Sequence, residues 1–333
     1  MPPAVDPGRA WVRPAAWLLL MVLVAAPTMA GAASQDAGGP SGLLLLPRNG
    51  QLSVADATTG EERALRLGGS GLVVDVAWSP DRSRFVASRF IRRPEDSVVG
   101  VGRDIQVFPA EGGEPLLTIE RDGPRVLLGA PAWARDGQSL YFERQDAMRP
   151  PSEGRIDQAA LDSSWRRTVV ARANGPAVGP DGSVLLYVRP GDTDSLVAMR
   201  LEDEAYRTVV PENKFLGIAY PRFSPDGSWI AFVAAGEPIF SERVRFGVLA
   251  WVPSASPAGR HGLPWDVWLV RPDGSDLRRL TDFGQDDPSL AWSPDGRWLA
   301  LYGAGALYVL NASIPAQAIP IGLGGYGGID WGP

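Results

Sequence analysis

From residue 42 onward the chain is a succession of short apolar or alternating runs, each closed by Pro, Asp, Gly or Ser. The clearest unit spans residues 288–302. Leu290 to Ser293 is short and apolar, Pro294-Asp295-Gly296 follows, and Trp298-Leu-Ala-Leu-Tyr302 is a β-prone run. Proline presets φ near about −65°, aspartate bonds locally to backbone, and glycine takes the left-handed position closed to most residues. The unit therefore predicts strand, tight turn, strand, with Asp295 serving the turn.

This unit recurs. It appears as Trp78-Ser-Pro-Asp-Arg82, Trp133-Ala-Arg-Asp-Gly137, Val178-Gly-Pro-Asp-Gly182, Phe223-Ser-Pro-Asp-Gly227 and Trp292-Ser-Pro-Asp-Gly296, with a truncated copy at Trp331-Gly332-Pro333. The spacings between copies are 55, 45, 45, 69 and 39 residues. The shorter ones match the period of propeller blades, about 40–50 residues. After each complete copy comes a second strand: 85–88, 140–143, 184–188, 229–233 and 298–302. Third strands are expected at 104–108, 156–161, 196–199, 266–270 and 306–310, and more polar fourth strands at 115–119, 166–170, 206–210, 277–280 and 318–321. Four antiparallel strands in a meander describe a blade. Residues 42–47, 52–55 and 63–67 supply the strands missing after Trp331. The expectation is an all-β chain: a six-bladed β-propeller of four-stranded antiparallel blades, closed by a composite blade from both termini.

At these residues the chain resembles the TolB-type six-bladed propeller, whose WD-like repeat has a Trp-Ser-Pro-Asp-Gly core. Residues 280–300, beginning Leu280-Thr-Asp-Phe, carry both the family's Leu-Thr blade ending and its hairpin, and residues 221–235 match nearly as well. The resemblance covers about 42–333, without the N-terminal α/β domain of TolB. Arg82 stands where the repeat has Gly, Ala134-Arg135 replaces Ser-Pro, and Val178-Gly179 lacks the aromatic, so the first half of the ring has drifted turns. The repeat serves scaffolds, oligopeptidase caps and carbohydrate-processing enzymes alike, and fold does not fix function.

Residues before the repeats read differently. Arg9 and Arg13 precede an apolar run, 15–26, which Pro27 breaks, and Ala30-Gly31-Ala32 offers a small-residue cleavage site. This is the pattern of a secretory signal over 1–32, followed by a short linker, 33–41, and the propeller, 42–333. The run is shorter than the roughly 20 residues of a membrane span; the alternative is a retained anchor. Export to the periplasm or the extracellular space follows. There is no Cys, which removes disulfides and thiol chemistry. The formal charge is −6, and Arg9, Arg13 and Asp6 give residues 1–32 a net +1, which leaves −7 for the rest. An acidic chain lacks the basic footprint of a nucleic-acid binder. Lys214 alone among the 32 basic residues is lysine.

Connections between second and third strands are short at 48–50, 189–194 and 303–305 but long at 89–103, 144–155 and 234–265. All project from one face, opposite the Pro-Asp-Gly hairpins, and long loops in a compact domain are usually functional or mobile. Arg92, Arg93, Arg149, Arg243 and Arg245 lie there and could clamp carboxylates; Trp251 joins them as a partner-binding candidate. Their alternative is mutual pairing with acids such as Glu95, Asp96, Asp146 and Glu153. Segments preceding each hairpin unit bring Asp75, Asn174, Tyr220, Asp286, Asp287 and Asp330 to the channel mouth. Converging carboxylates there could hold Ca²⁺, although such residues more often satisfy backbone N–H groups, and no metal or other cofactor is expected. His261 is the only histidine; with no G-x-S-x-G elbow it reads as incidental. Trp78, Trp133, Trp292 and Trp331 read as packing residues between blades. The expected function is an exported, non-enzymatic, monomeric scaffold binding a protein or peptide on its loop-rich face. The competing expectation is a carbohydrate- or peptide-processing enzyme using channel-mouth carboxylates, with Asp286, Asp287 and Asp330 as its first candidates.

Overall fold

A computed structural model describes residues 38–94, 96, 102–236, 263–313 and 318–333. The chain divides into two compact units, Met1–Gly38 and Gly39–Pro333. The expected signal segment lies outside the described residues, and the fold below is that of the second unit.

Among the described residues strands dominate, and a single 3-10 turn, Pro151–Glu153, interrupts them. The first sheet contains β1 (Leu43–Arg48), β2 (Gln51–Asp56) and β3 (Glu62–Leu65). Next come β4 (Leu72–Trp78), β5 (Arg84–Phe90), β6 (Arg103–Pro109) and β7 (Leu117–Ile119), then β8 (Val126–Trp133), β9 (Ser139–Asp146), β10 (Arg155–Ala160) and β11 (Arg166–Ala171). These two meanders share one sheet through a lone parallel pair, Arg103 with Leu127. Three further four-stranded sheets follow. They are β12 (Asn174–Val178), β13 (Val184–Arg189), β14 (Asp194–Arg200) and β15 (Tyr206–Phe215); β16 (Gly217–Phe223), β17 (Ile230–Ala235), β18 (Trp265–Val270) and β19 (Arg278–Arg279); and β20 (Ser289–Trp292), β21 (Trp298–Tyr302), β22 (Ala306–Asn311) and β23 (Ala318–Leu323). The last strand, β24 (Asp330–Gly332), returns to pair antiparallel with β1, placing Leu44 opposite Trp331.

The apolar runs explain the packing. A strand buried on one face alternates, whereas one buried on both reads as continuously hydrophobic. In β1, Leu44 and Leu46 meet Ala291, Ala300 and Tyr302 of the β20–β23 sheet, while Leu45 joins Val76, Phe85 and Ala87 of the β4–β7 meander. The run Leu43-Leu-Leu-Leu46 thus belongs to two cores at once. Fourth strands such as β11 and β23 lack fully buried positions, which accounts for their polar sequence. The first strands touch in succession, β4 with β8, β8 with β12, β12 with β16, β16 with β20, β20 with β24 and β24 with β4.

The hairpin turns use the chemistry their residues offer. Ser293 Oγ donates to Asp295 (2.5 Å) and accepts from the Trp298 N–H (2.9 Å), while Asp295 accepts from the Arg297 N–H (3.0 Å). The Ser224–Asp226 and Ser79–Asp81 turns repeat this arrangement. The hydroxyls of Ser79 and Ser83 hold the Asp81 carboxyl down at about 2. Arg82, in the glycine position, is held at φ 62°, the left-handed region where a side chain is strained.

Candidate functional site

Three regions can carry function: the interior where the first strands converge, the face bearing the long connections, and the face bearing the hairpins.

In the interior, β-bulges interrupt β4, β8, β12 and β16 between Val73 and Asp75, Gly129 and Ala132, Asn174 and Ala177, and Ala219 and Arg222. A bulge re-aims the chain locally; Ala130 and Tyr220 sit at these irregularities with φ of 44° and 48°. Asp75 accepts from the Gly328 N–H at 3.1 Å, the Ala130 N–H at 3.2 Å and Arg103 Nη1 at 3.4 Å. It therefore ties its own strand to both neighbouring first strands. Glu143 accepts from the Gly175 N–H (3.3 Å); burial pushes its pKa up, opposed by the nearby Arg103 charge. The Tyr220 hydroxyl is driven well above its ordinary value by burial, with the Asp75 and Asp287 charges adding to it.

Asp330 belongs to a different level. Its Oδ2 accepts from the Trp78 N–H (2.7 Å) and its Oδ1 from the Trp331 N–H (2.9 Å); burial raises its pKa. It lines the cavity on the hairpin side with Pro80, Pro180, Pro225 and Pro294. Asp286 and Asp287 are half-buried and precede β20, at the opposite end of the first strands. The six expected channel-mouth residues thus split: Asp75 and Tyr220 line the interior with Asp287 close by, Asn174 opens β12, Asp286 adjoins Asp287 in sequence, and Asp330 faces the hairpin side. Among the described residues no group of three or more acidic or histidine side chains is placed to hold a metal ion.

On the long-connection face, Arg92 is exposed. Arg93 reaches Asp104 (2.9 Å) and Glu120 (3.5 Å), and Arg149 pairs with Glu153 (2.7 Å). Arg93 and Arg149 are therefore engaged within the chain, as the pairing alternative anticipates. Arg243, Arg245, Trp251 and His261 lie outside the described residues. Exposed apolar side chains occur at this end of the strands: Leu72, Leu216, Phe283 and Tyr326 at or before the starts of first strands, Leu323 at the end of β23 and Met148 in the β9–β10 connection, with exposures from 39% at Leu216 to 78% at Leu323. Leu116, Trp165, Tyr206 and Ile319 are exposed at the turns between third and fourth strands.

The anchor tryptophans pack between neighbouring sheets. The indole N–H of Trp133 donates to the Ala77 carbonyl (3.1 Å), that of Trp292 to Arg222 (3.2 Å) and that of Trp331 to Ser41 (3.0 Å). The Trp78 indole nitrogen is buried without a hydrogen-bond partner among the described residues.

Several residues were missed in the sequence reading. Arg103 opens β6 and Glu143 lies within β9, and neither shows a motif. A recurring carboxylate at the start of third strands does leave a trace. Asp104 accepts from the Arg121 N–H (2.9 Å), Asp194 from Ile218 (3.0 Å) and Asp266 from Phe283 (2.8 Å). Each pins the segment that leads on from the fourth strand. The signal is an Asp opening the apolar third-strand run, visible when the repeats are aligned.

No family profile matches the chain. The Tol-Pal system protein TolB of Nitratidesulfovibrio vulgaris is 53% identical over 34 residues, which span 10% of this chain and 8% of that protein. Among solved structures, a putative TolB from Agrobacterium tumefaciens superposes with a TM-score of 0.58 at 20% identity, covering 79% of this chain and 88% of that one. TolB from Acinetobacter baumannii gives 0.62 at 17% identity, covering 89% and 68%. A chain of the nidogen/laminin complex gives 0.62 at 15% identity, covering 87% and 98%. These likenesses bear on the fold, and with the recurring Trp-Ser-Pro-Asp-Gly hairpins they identify it: the chain has the fold of a TolB-like β-propeller.

Proposed function

We propose that this protein is an exported, non-enzymatic, monomeric propeller scaffold that docks a protein or peptide on the face bearing its long connections. Its sheets read as six blades, the first composite, with β24 and β1 fastening the two ends of the ring. The observation that carries the reading is that six of the ten large exposed apolar side chains among the described residues lie toward that face, Leu72, Met148, Leu216, Phe283, Leu323 and Tyr326, against four at the turns between third and fourth strands. Scattered single apolar residues need no explanation, but several gathered on one face mark an interaction surface. The solved relatives include a chain from an assembly of two proteins, nidogen and laminin, and the sequence relative is a component of the Tol-Pal system. Both fit a scaffold. The enzyme alternative is weakened by the use of Asp75 and Asp330, which accept hydrogen bonds from neighbouring backbone and act as fasteners between strands.

The test is a pair of surface variants. Phe283→Glu with Leu323→Glu places two charges at the docking face at positions outside the buried clusters, with the ring contact of Phe283 to Tyr308 given up. Capture of the partner from an envelope extract should drop to background while the melting curve stays within error of wild type. Undiminished capture would rule out this face. Turnover of a glycoside or peptide substrate, lost in Asp286→Asn or Asp287→Asn, would replace the scaffold reading with the enzymatic one.

A further inference from the structure

The hairpin side holds an open cavity of about 480 Å³, lined by residues from β4, β8, β12, β16, β20 and β24. Its chemistry is lopsided. Arg82, Arg135 and Arg222 line it against a single carboxylate, Asp330. That carboxylate accepts from the backbone N–H groups of Trp78 and Trp331, and burial raises its pKa against the pull of the nearby Arg222 and Arg82 charges. None of the three arginines makes an ion pair among the described residues, and Arg222 Nη1 has the Pro221 carbonyl (3.0 Å).

Two donors at this end of the fold are unused. Arg82 Nη1 and Trp78 Nε1 are both buried without a hydrogen-bond partner among the described residues. The corresponding indoles of Trp133 and Trp292 each have a carbonyl. Buried donors without acceptors are costly and point to an acceptor that completes the site. Arg82 also occupies a backbone position suited to glycine, at φ 62°. Strain of this kind persists where a side chain is needed. The walls around the cations are apolar: four hairpin prolines, Pro80, Pro180, Pro225 and Pro294, with the rings of Trp133 and Phe223.

We propose that this cavity binds a carboxylate carried on an apolar body, with Arg82 and Arg222 receiving the charge and the prolines and aromatic rings enclosing the body. Guanidinium groups match a carboxylate through parallel N–H donors. Pockets of this kind combine apolar walls with a few placed polar groups. The ligand is either a peptide's C-terminal carboxylate or a free organic acid. This site lies on the face opposite the docking surface and stands or falls independently of it.

Calorimetric titration of the protein with N-acetyl-leucyl-phenylalanine, its C-terminal amide and 4-phenylbutyrate tests the proposal. At least one acid should bind saturably and the amide should not. Binding by the peptide acid alone assigns a chain terminus, and binding by phenylbutyrate assigns a free acid. Arg82→Gly restores the residue that the turn prefers, so it should melt no lower than wild type while binding at least about tenfold more weakly. Arg135→Gln, on an exposed side chain, is the second variant and should weaken binding by a smaller factor. No saturable binding of either acid overturns the proposal. So does an amide that binds as well as the acid, or an Arg82→Gly protein that binds like wild type.

Discussion

Trp331→Ala tests how far the last strand holds the fold together. Trp331 is 3% exposed, sits in the core shared by β1, β20, β21 and β22, and donates its indole N–H to Ser41. Loss of a buried tryptophan to alanine costs about 3–5 kcal/mol. The lost hydrogen bond adds about 0.5–1.5 kcal/mol. A total near 5 kcal/mol is a large share of the roughly 5–15 kcal/mol by which domains are stable. With an unfolding entropy of about 0.6 kcal/mol per kelvin for a unit of this size, the melting temperature should fall by about 8 °C. Thermal melts followed by near-ultraviolet circular dichroism give the shift, and hydrogen exchange gives its location. Protection should fall first at the amides of β1, whose inner partner is β24. A shift below about 2 °C, with β1 protection unchanged, would show that the ends are fastened by something else.

Other changes follow from the same contacts. Arg121 bridges Asp96 (2.5 Å) and Asp104 (3.0 Å), all three being almost fully buried; Arg121→Ala strips Asp96 of its ion pair and leaves Asp104 with Arg93, and should destabilise by about 3–5 kcal/mol in denaturant titration. Arg82→Gly removes a left-handed arginine and should stabilise by roughly 0.5–1 kcal/mol, after the larger unfolded-state entropy of glycine is subtracted. Ser79→Ala removes the first hydroxyl holding Asp81 at about 2, so the carboxyl should move toward its ordinary range in an NMR titration. Glu143 has a folded pKa raised by burial. Its contribution to stability is therefore full below the unfolded carboxyl value and is lost as pH rises through the folded one. Glu143→Gln should flatten that decline, and an unchanged pH profile would show that Glu143 ionises without penalty.

Much of the architecture was legible because the repeat carries its own physics. Pro-Asp-Gly turns fix where strands reverse, and the second strands fall where the β-prone runs after each turn place them. Even the pairing of β24 with β1 was readable, from a truncated copy at Trp331 and an orphan apolar run at Leu43. The sites were less legible because they depend on partners remote in sequence. Arg93 resembled a free cation until Asp104 and Glu120 appeared beside it. Asp330 looked like a companion of Asp286 and Asp287, yet its place on β24 turns it toward the hairpins. Arg82 read as a drifted turn; its guanidinium lines a cavity built from six strands that reach along the chain as far as Trp331. Exposure on the docking face was likewise hidden, since Leu323 and Phe283 have the same composition signal as core residues and differ in being 78% and 40% exposed.

The most direct test is quantitative capture by the immobilised protein in parallel with its Phe283→Glu/Leu323→Glu and Arg82→Gly variants, all at matched folded fractions. The docking reading predicts that one protein partner is retained by wild type and Arg82→Gly and lost by the double variant. Retention of that partner by the double variant, or its loss from Arg82→Gly alone, would contradict docking on the long-connection face.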